Sequence, residues 1–142
     1  MSEDKWIDAV AKMIKLTQEG ILIWEAEKLK DYLKKNQDDS IDLVFGTTYK
    51  NKRIRLYRRT YKAYRFPKNF GISEVTLARI LAGNIEKEPY WATEVVLDFV
   101  SDDGLTLWTY PEVSALSDLL SAVQYQVAKV KDFLNELLSD DA

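Results

Sequence analysis

The sequence contains no cysteine and no histidine, so any chemistry would fall to carboxylates, lysines, arginines and tyrosines. The two absences exclude thiolate metal sites, cysteine nucleophiles and every triad that needs an imidazole. Carboxylates alone can still hold a hard cation or shuttle protons, so their spacing decides the matter. Asp38-Asp39, Asp102-Asp103 and Asp140-Asp141 fall in expected turns or at the end of the sequence, without EF-hand spacing. A carboxylate nuclease built on Asp98 would need an acid-x-Lys on the next strand, and Leu105–Tyr110 supplies neither residue. The five glycines stand apart, so no loop cradles a phosphate. The reading is a non-enzymatic chain with no catalytic, metal or cofactor-binding residues.

Two patterns remain that could bind something. The first is charge. Between Val44 and Ser73 there are nine bases and no acid, whereas the other 112 residues carry 11 bases and all 23 acids. In an extended strand Arg53, Arg55, Tyr57, Arg59 and Tyr61 share one face, opposite Ile54 and Leu56. A basic face with interleaved aromatics is the pattern that holds a phosphate backbone and stacks bases. Glu94 and Asp98 fall on the polar face of a later strand, at the spacing needed to pair with those arginines across a sheet. The acidic pI of about 5.1 also weighs against a dedicated DNA binder. Trp108 joins the candidate binding residues because its alternation with Leu105, Leu107 and Thr109 sends it to the outer side, with Tyr110.

The second pattern is apolar. Leu116, Leu120, Val123, Val127, Val130, Leu134 and Leu137 advance by alternating steps of four and three, the rhythm of a coiled-coil seam. Leu119, Phe133 and Leu138 widen it beyond a strict seam, as in a helix lying across its own sheet. A helix running from Pro111 to about Leu138 would be roughly 40 Å long, comparable to a domain of this size. The expectation is that part of it pairs with a second copy or a partner helix.

These residues need elements to position them. Trp6, Ile7, Val10, Met13 and Ile14 predict an amphipathic helix over Lys5–Glu19, closed by Gly20. Ile21–Trp24 reads as a short strand and Glu25–Gln37 as a short helix. Ile41–Tyr49 and Lys52–Tyr64, separated by Lys50-Asn51, read as a hairpin, with Ile41, Leu43, Phe45, Thr47 and Tyr49 on one face. Ser73 could cap a connecting helix over Glu74–Ala82. Trp91–Val100 and Leu105–Tyr110 flank the turn Ser101–Gly104 as a second hairpin. The implied fold is α+β: an antiparallel sheet of four to five strands built from two hairpins, with N-terminal and long C-terminal helices on one face. At 142 residues one domain is expected, with short disordered ends at about 1–4 and 139–142. No apolar run is long enough to span a membrane and the acidic N-terminus lacks a signal-peptide core, so a cytoplasmic location is expected.

The phrases Lys52-Arg53-Ile54-Arg55-Leu56-Tyr57, Tyr90-Trp91 through Val95-Val96-Leu97-Asp98-Phe99, and Leu107-Trp108-Thr109-Tyr110-Pro111 running into Ser114–Leu120 resemble a group of small bacterial proteins with no assigned activity. Many of them carry Trp-Glu-Phe-Pro where this chain has Trp108-Thr109-Tyr110-Pro111. The likeness spans roughly Ile41 to Leu138 and implies the fold and a bacterial origin, but no mechanism. Helix and sheet order is also similar to that of small acidic secretion chaperones, at the level of fold alone. Gly71–Gly83 resembles the turn and recognition helix of a helix-turn-helix repressor, yet Pro67 falls where the first helix should run. The expectation is therefore a non-enzymatic protein-interaction module, homodimeric or bound to another protein. The alternative is nucleic-acid binding through the hairpin over 50–68.

Overall fold

The computed structural model describes residues 4–28, 38–65, 83 and 88–139. In chain order the elements are α1 (Asp4–Gln18), β1 (Glu25–Ala26), β2 (Ser40–Tyr49), β3 (Lys52–Arg65), β4 (Glu88–Val100), β5 (Thr106–Thr109), α2 (Ala115–Val127) and α3 (Val130–Ser139). The strands form one antiparallel sheet in sequence order, β1-β2-β3-β4-β5. No described helix is long and apolar enough to cross a membrane. The expected helix at 74–82 and all but the first residues of the one expected at 25–37 lie outside the described residues. At the ends expected to be disordered, Asp4 opens α1 and Ser139 closes α3.

Helix α1 ends as its sequence dictates. Gly20 takes a φ of 75°, its N–H bonds the Thr17 carbonyl, and Ile21 N–H reaches back to the Leu16 carbonyl. This paired cap satisfies carbonyls that the helix end would otherwise orphan. Beyond it, Ile21–Trp24 does not form the expected strand. Its backbone groups find other partners: Leu22 N–H bonds Leu16 O, Trp24 N–H bonds the Gln126 side-chain oxygen, and the Gln126 amide donates to Leu22 O and Thr17 O. One glutamine of α2 thus does the work of a neighbouring strand. Strand pairing starts only at Glu25, where a helix was expected.

Strands β2 and β3 reverse through Lys50 and Asn51, both at positive φ (47° and 71°), the twist that suits a two-residue connection. A bulge interrupts β2 between Asp42 and Phe45, with Leu43 at φ 52°. The extra residue changes which side chains share a face. Ile41 and Val44 therefore pack with Tyr57 and Val96 on one side, while Phe45 joins Ile54, Leu56 and Leu97 on the other. The single face expected for Ile41, Leu43, Phe45, Thr47 and Tyr49 is corrected on this point.

The larger core lies between that second face and the helices α1 and α2. Val10 and Leu16 of α1, Leu116, Leu119, Leu120 and Val123 of α2, and Leu22, Trp24 and Tyr110 close over Phe45, Ile54, Leu56 and Leu97. The long C-terminal helix is in fact two. It starts at Ala115 rather than Pro111 and breaks at Ala128–Lys129, where Lys129 adopts φ 55°.

Candidate interaction surfaces

Strand β3 carries the basic residues, and the register with β4 decides what they meet. Arg55 stands opposite Asp98, Tyr57 opposite Val96, Arg59 opposite Glu94 and Tyr61 opposite Ala92. Arg55 is buried. It donates to Gly104 O at 2.7 Å and to Thr106 Oγ1 at 3.0 Å, with Asp98 Oδ2 3.8 Å away. The buried Asp98 carboxylate accepts hydrogen bonds from Tyr57 (3.0 Å), Thr109 (2.8 Å) and Thr106 (3.3 Å). Burial first, then the adjoining Asp98 charge and hydrogen bond, push the Tyr57 phenol well above its ordinary range.

Arg59 is held between two acids. Its Nε donates to Asp39 at 2.9 Å, its NH1 to Glu94 at 2.7 Å, and its guanidinium lies over the Tyr61 ring at 4.3 Å from the centroid. Burial works against its charge, but the hydrogen bonds it donates to Asp39 and Glu94, with their negative charges, outweigh that and raise its pKa. Arg53 pairs with Glu27, whose carboxylate occupies the space that a side chain at Gly46 would need. Arg58, on the opposite face, makes a two-pronged contact with Asp42 at 3.0 and 2.7 Å. The buried Arg55 and Asp98, through Gly104, Thr106 and Thr109, tie β5 and the Ser101–Gly104 turn to the sheet, and removing either charge would leave the other buried and uncompensated. The guanidinium groups of Arg55 and Arg59 are turned inward and are not placed to meet a phosphate backbone.

Trp108 faces the side opposite to expectation. Its ring lies 5.7 Å from that of Trp6 and 5.9 Å from Phe99, on the helix side of the sheet. Tyr110, expected beside it on the outside, is buried in the main core, and its hydroxyl donates to Trp6 O at 2.7 Å. A bulge in β5 explains the change: Val100 pairs with Thr106 but Phe99 pairs with Trp108, so Leu107 is the extra residue. Trp108 remains 48% exposed, at the rim of the core rather than on a separate platform.

The seam residues divide into two sets. Leu116, Leu120 and Val123 are buried within the molecule, and Val127 packs against the same core. Leu116, Leu120 and Val123 are thereby occupied by their own sheet and α1, and Val127 stands at the edge of that core. Val130 is half-buried. Beyond it the stripe is bare: Phe133 is 58%, Leu134 40%, Leu137 58% and Leu138 77% exposed, and no residue of α3 is buried. A cleft of about 680 Å³ opens where the end of α1 meets the α2–α3 junction, lined among others by Thr17, Ile23, Tyr125, Gln126 and Lys129. Among the described residues no three acids are grouped to hold a metal ion.

No family model matches the chain, and no curated protein or solved structure is significantly similar to it.

Proposed function

We propose that this chain is a non-enzymatic protein-interaction module that pairs with a second copy of itself through the apolar stripe of α3. The resemblance of its strand phrases supports a bacterial origin, and a cytoplasmic location is part of the same proposal. The observation that carries the reading is the spacing of Val130, Phe133, Leu134, Leu137 and Leu138, one apolar stripe at helical period on a helix with no buried residue. A helix of ten residues is marginal in water on its own propensity and draws its stability from what its apolar face touches. The α3 face therefore calls for a partner.

Area supports a second copy. The four most exposed stripe residues leave bare roughly 450 Å² of apolar surface, taking about 190 Å² for a large apolar side chain. Two copies would bury about twice that. At the apolar share of about 60% usual for interfaces, the total approaches 1,500 Å². That lies in the standard class for specific complexes. Pairing of Arg55 and Arg59 inside the molecule weighs against the alternative, nucleic-acid binding through the hairpin over 50–68.

The test replaces Leu134 and Leu137 together by Lys. The wild-type chain should scatter light with twice the monomer mass at micromolar concentration, and the double variant should scatter as a monomer with an unchanged or slightly lower melting temperature. Equal masses for the two proteins would overturn the reading. Nucleic acid retained at low salt, read from the 260/280 nm absorbance ratio, would favour the alternative.

A further inference from the structure

The apolar rhythm and the backbone disagree at one place. Steps of four and three continue without interruption from Val123 through Val127, Val130, Leu134 and Leu137, the phase of a single unbroken helix. The helix nevertheless stops at Ala128, and Lys129 turns it with φ 55°. Neither glycine nor proline stands there to require a break. The left-handed region is unfavourable for a lysine, whose Cβ crowds the following carbonyl. Lysine is at the same time a good residue for a helix interior. Local backbone preference and apolar phase thus both point to a continuous rod. The bent form is held by a cap, with Ala128 N–H on Gln124 O and Lys129 N–H on Gln126 O, while Lys129 O in turn accepts from Phe133 N–H to start α3.

We infer that the α2–α3 junction is a hinge, and that pairing with a second copy straightens it into one helix over Ala115–Ser139. This rests on the self-association proposed above and names its form: a two-helix coiled coil along the distal seam. In the bent state Phe133, Leu137 and Leu138 are each more than half exposed, and the lone chain gains the α2 cap. In the straight state Val127, Val130, Leu134 and Leu137 fall on one line that a second identical line can enter, knobs into holes. Phe133 and Leu138 flank that line and extend the covered surface. Leu116, Leu120 and Val123 stay in the core in both states, so the anchor does not move. The Gln126 side chain, bonded to Leu22 O, Thr17 O and Trp24 N, fixes the last turn of α2 and places the pivot just after it.

The absence of native cysteines allows two spin labels to be placed without interference, at Ser117→Cys on α2 and Glu136→Cys on α3, both exposed. Labelled chain is diluted into excess unlabelled chain, so that only distances within one copy are read. A continuous helix separates the labels by nineteen residue steps, about 28 Å along the axis, and the bent form must be shorter. The expected result is the short distance at concentrations where light scattering reports a monomer, and the long one where it reports a dimer. A dimer that keeps the short distance overturns the hinge while leaving the pairing intact. A monomer at all concentrations overturns both. Lys129→Gly provides a second measurement, since glycine takes the left-handed turn freely and disfavours a helix interior. It should weaken dimerisation about tenfold or more, because both copies must straighten, whereas Lys129→Ala should leave it unchanged or tighter. Equal affinity for Lys129→Gly and wild type would also overturn the hinge.

Discussion

At the scale of single residues, the basic segment is resolved by partners close at hand. The alternation of β3 and β4 was enough to put Glu94 and Asp98 at a spacing that suits the arginines, because strand periodicity fixes which side chains share a face, and the register then sets Arg55 opposite Asp98 and Arg59 opposite Glu94. Asp39, Thr106 and Thr109 were not legible as members of the same network. The first comes from the turn preceding β2, and the two threonines come together on one face only because β5 bulges at Leu107. Tyr57 gives the network a measurable signature. The folded chain keeps the Tyr57 and Tyr110 protons at a pH where the unfolded chain, with an ordinary phenol value of 10.0, begins to release them. The folded state therefore binds more protons above that point, and stability falls as pH rises, with a limiting slope of about 1.4 kcal/mol per pH unit from Tyr57 and a further fall in the same direction from Tyr110. Tyr57→Phe should remove one of these slopes. It should also cost about 1–2 kcal/mol at neutral pH, because Asp98 loses a hydroxyl donor. Urea unfolding of both proteins between pH 9 and about 11.5 checks this, and parallel curves would contradict it.

At the scale of elements, regular periodicity was readable and its interruptions were not. The extents of β2, β3 and β4 follow from β-branched and aromatic residues alternating with polar ones, and Gly20 announces the end of α1. The bulge at Leu43, the bulge at Leu107 and the break at Lys129 fall on residues with no intrinsic preference for such turns, so nothing local marks them. The strand expected at Ile21–Trp24 failed for a different reason. Its backbone is satisfied by Gln126, a residue about a hundred positions away. The turn between β2 and β3 is legible and also improvable. Lys50 and Asn51 both hold positive φ, which asparagine and then glycine tolerate better. Lys50→Asn combined with Asn51→Gly should stabilise the protein by about 1 kcal/mol and raise its melting temperature by about 3–5 °C. A thermal melt followed by far-UV circular dichroism measures it. A fall in melting temperature would mean that the lysine at this turn makes a contact worth more than the strain it bears.

At the scale of the whole molecule, two halves of one apolar stripe have different fates. Leu116, Leu120 and Val123 close the core over the sheet, and Phe133, Leu134, Leu137 and Leu138 remain bare. The seam was plain in the sequence, but the division was not, since it depends on how far α1 and the sheet reach along α2. Charge behaves in the opposite way: Arg55 and Arg59, which looked like part of an outward surface, are drawn inward by Asp39, Glu94 and Asp98, while Arg53 stays partly exposed beside Glu27. The apolar side chains that α3 turns outward are aliphatic and aromatic, on a helix too short to stand alone. Amide hydrogen exchange of Val130–Ser139, measured across a range of protein concentrations, addresses this most directly. Protection of these ten amides should be weak in dilute solution and rise with concentration, while that of Leu56, Leu97 and Leu119 stays constant. Protection of α3 that does not change with concentration would contradict the assignment of this face to a second copy.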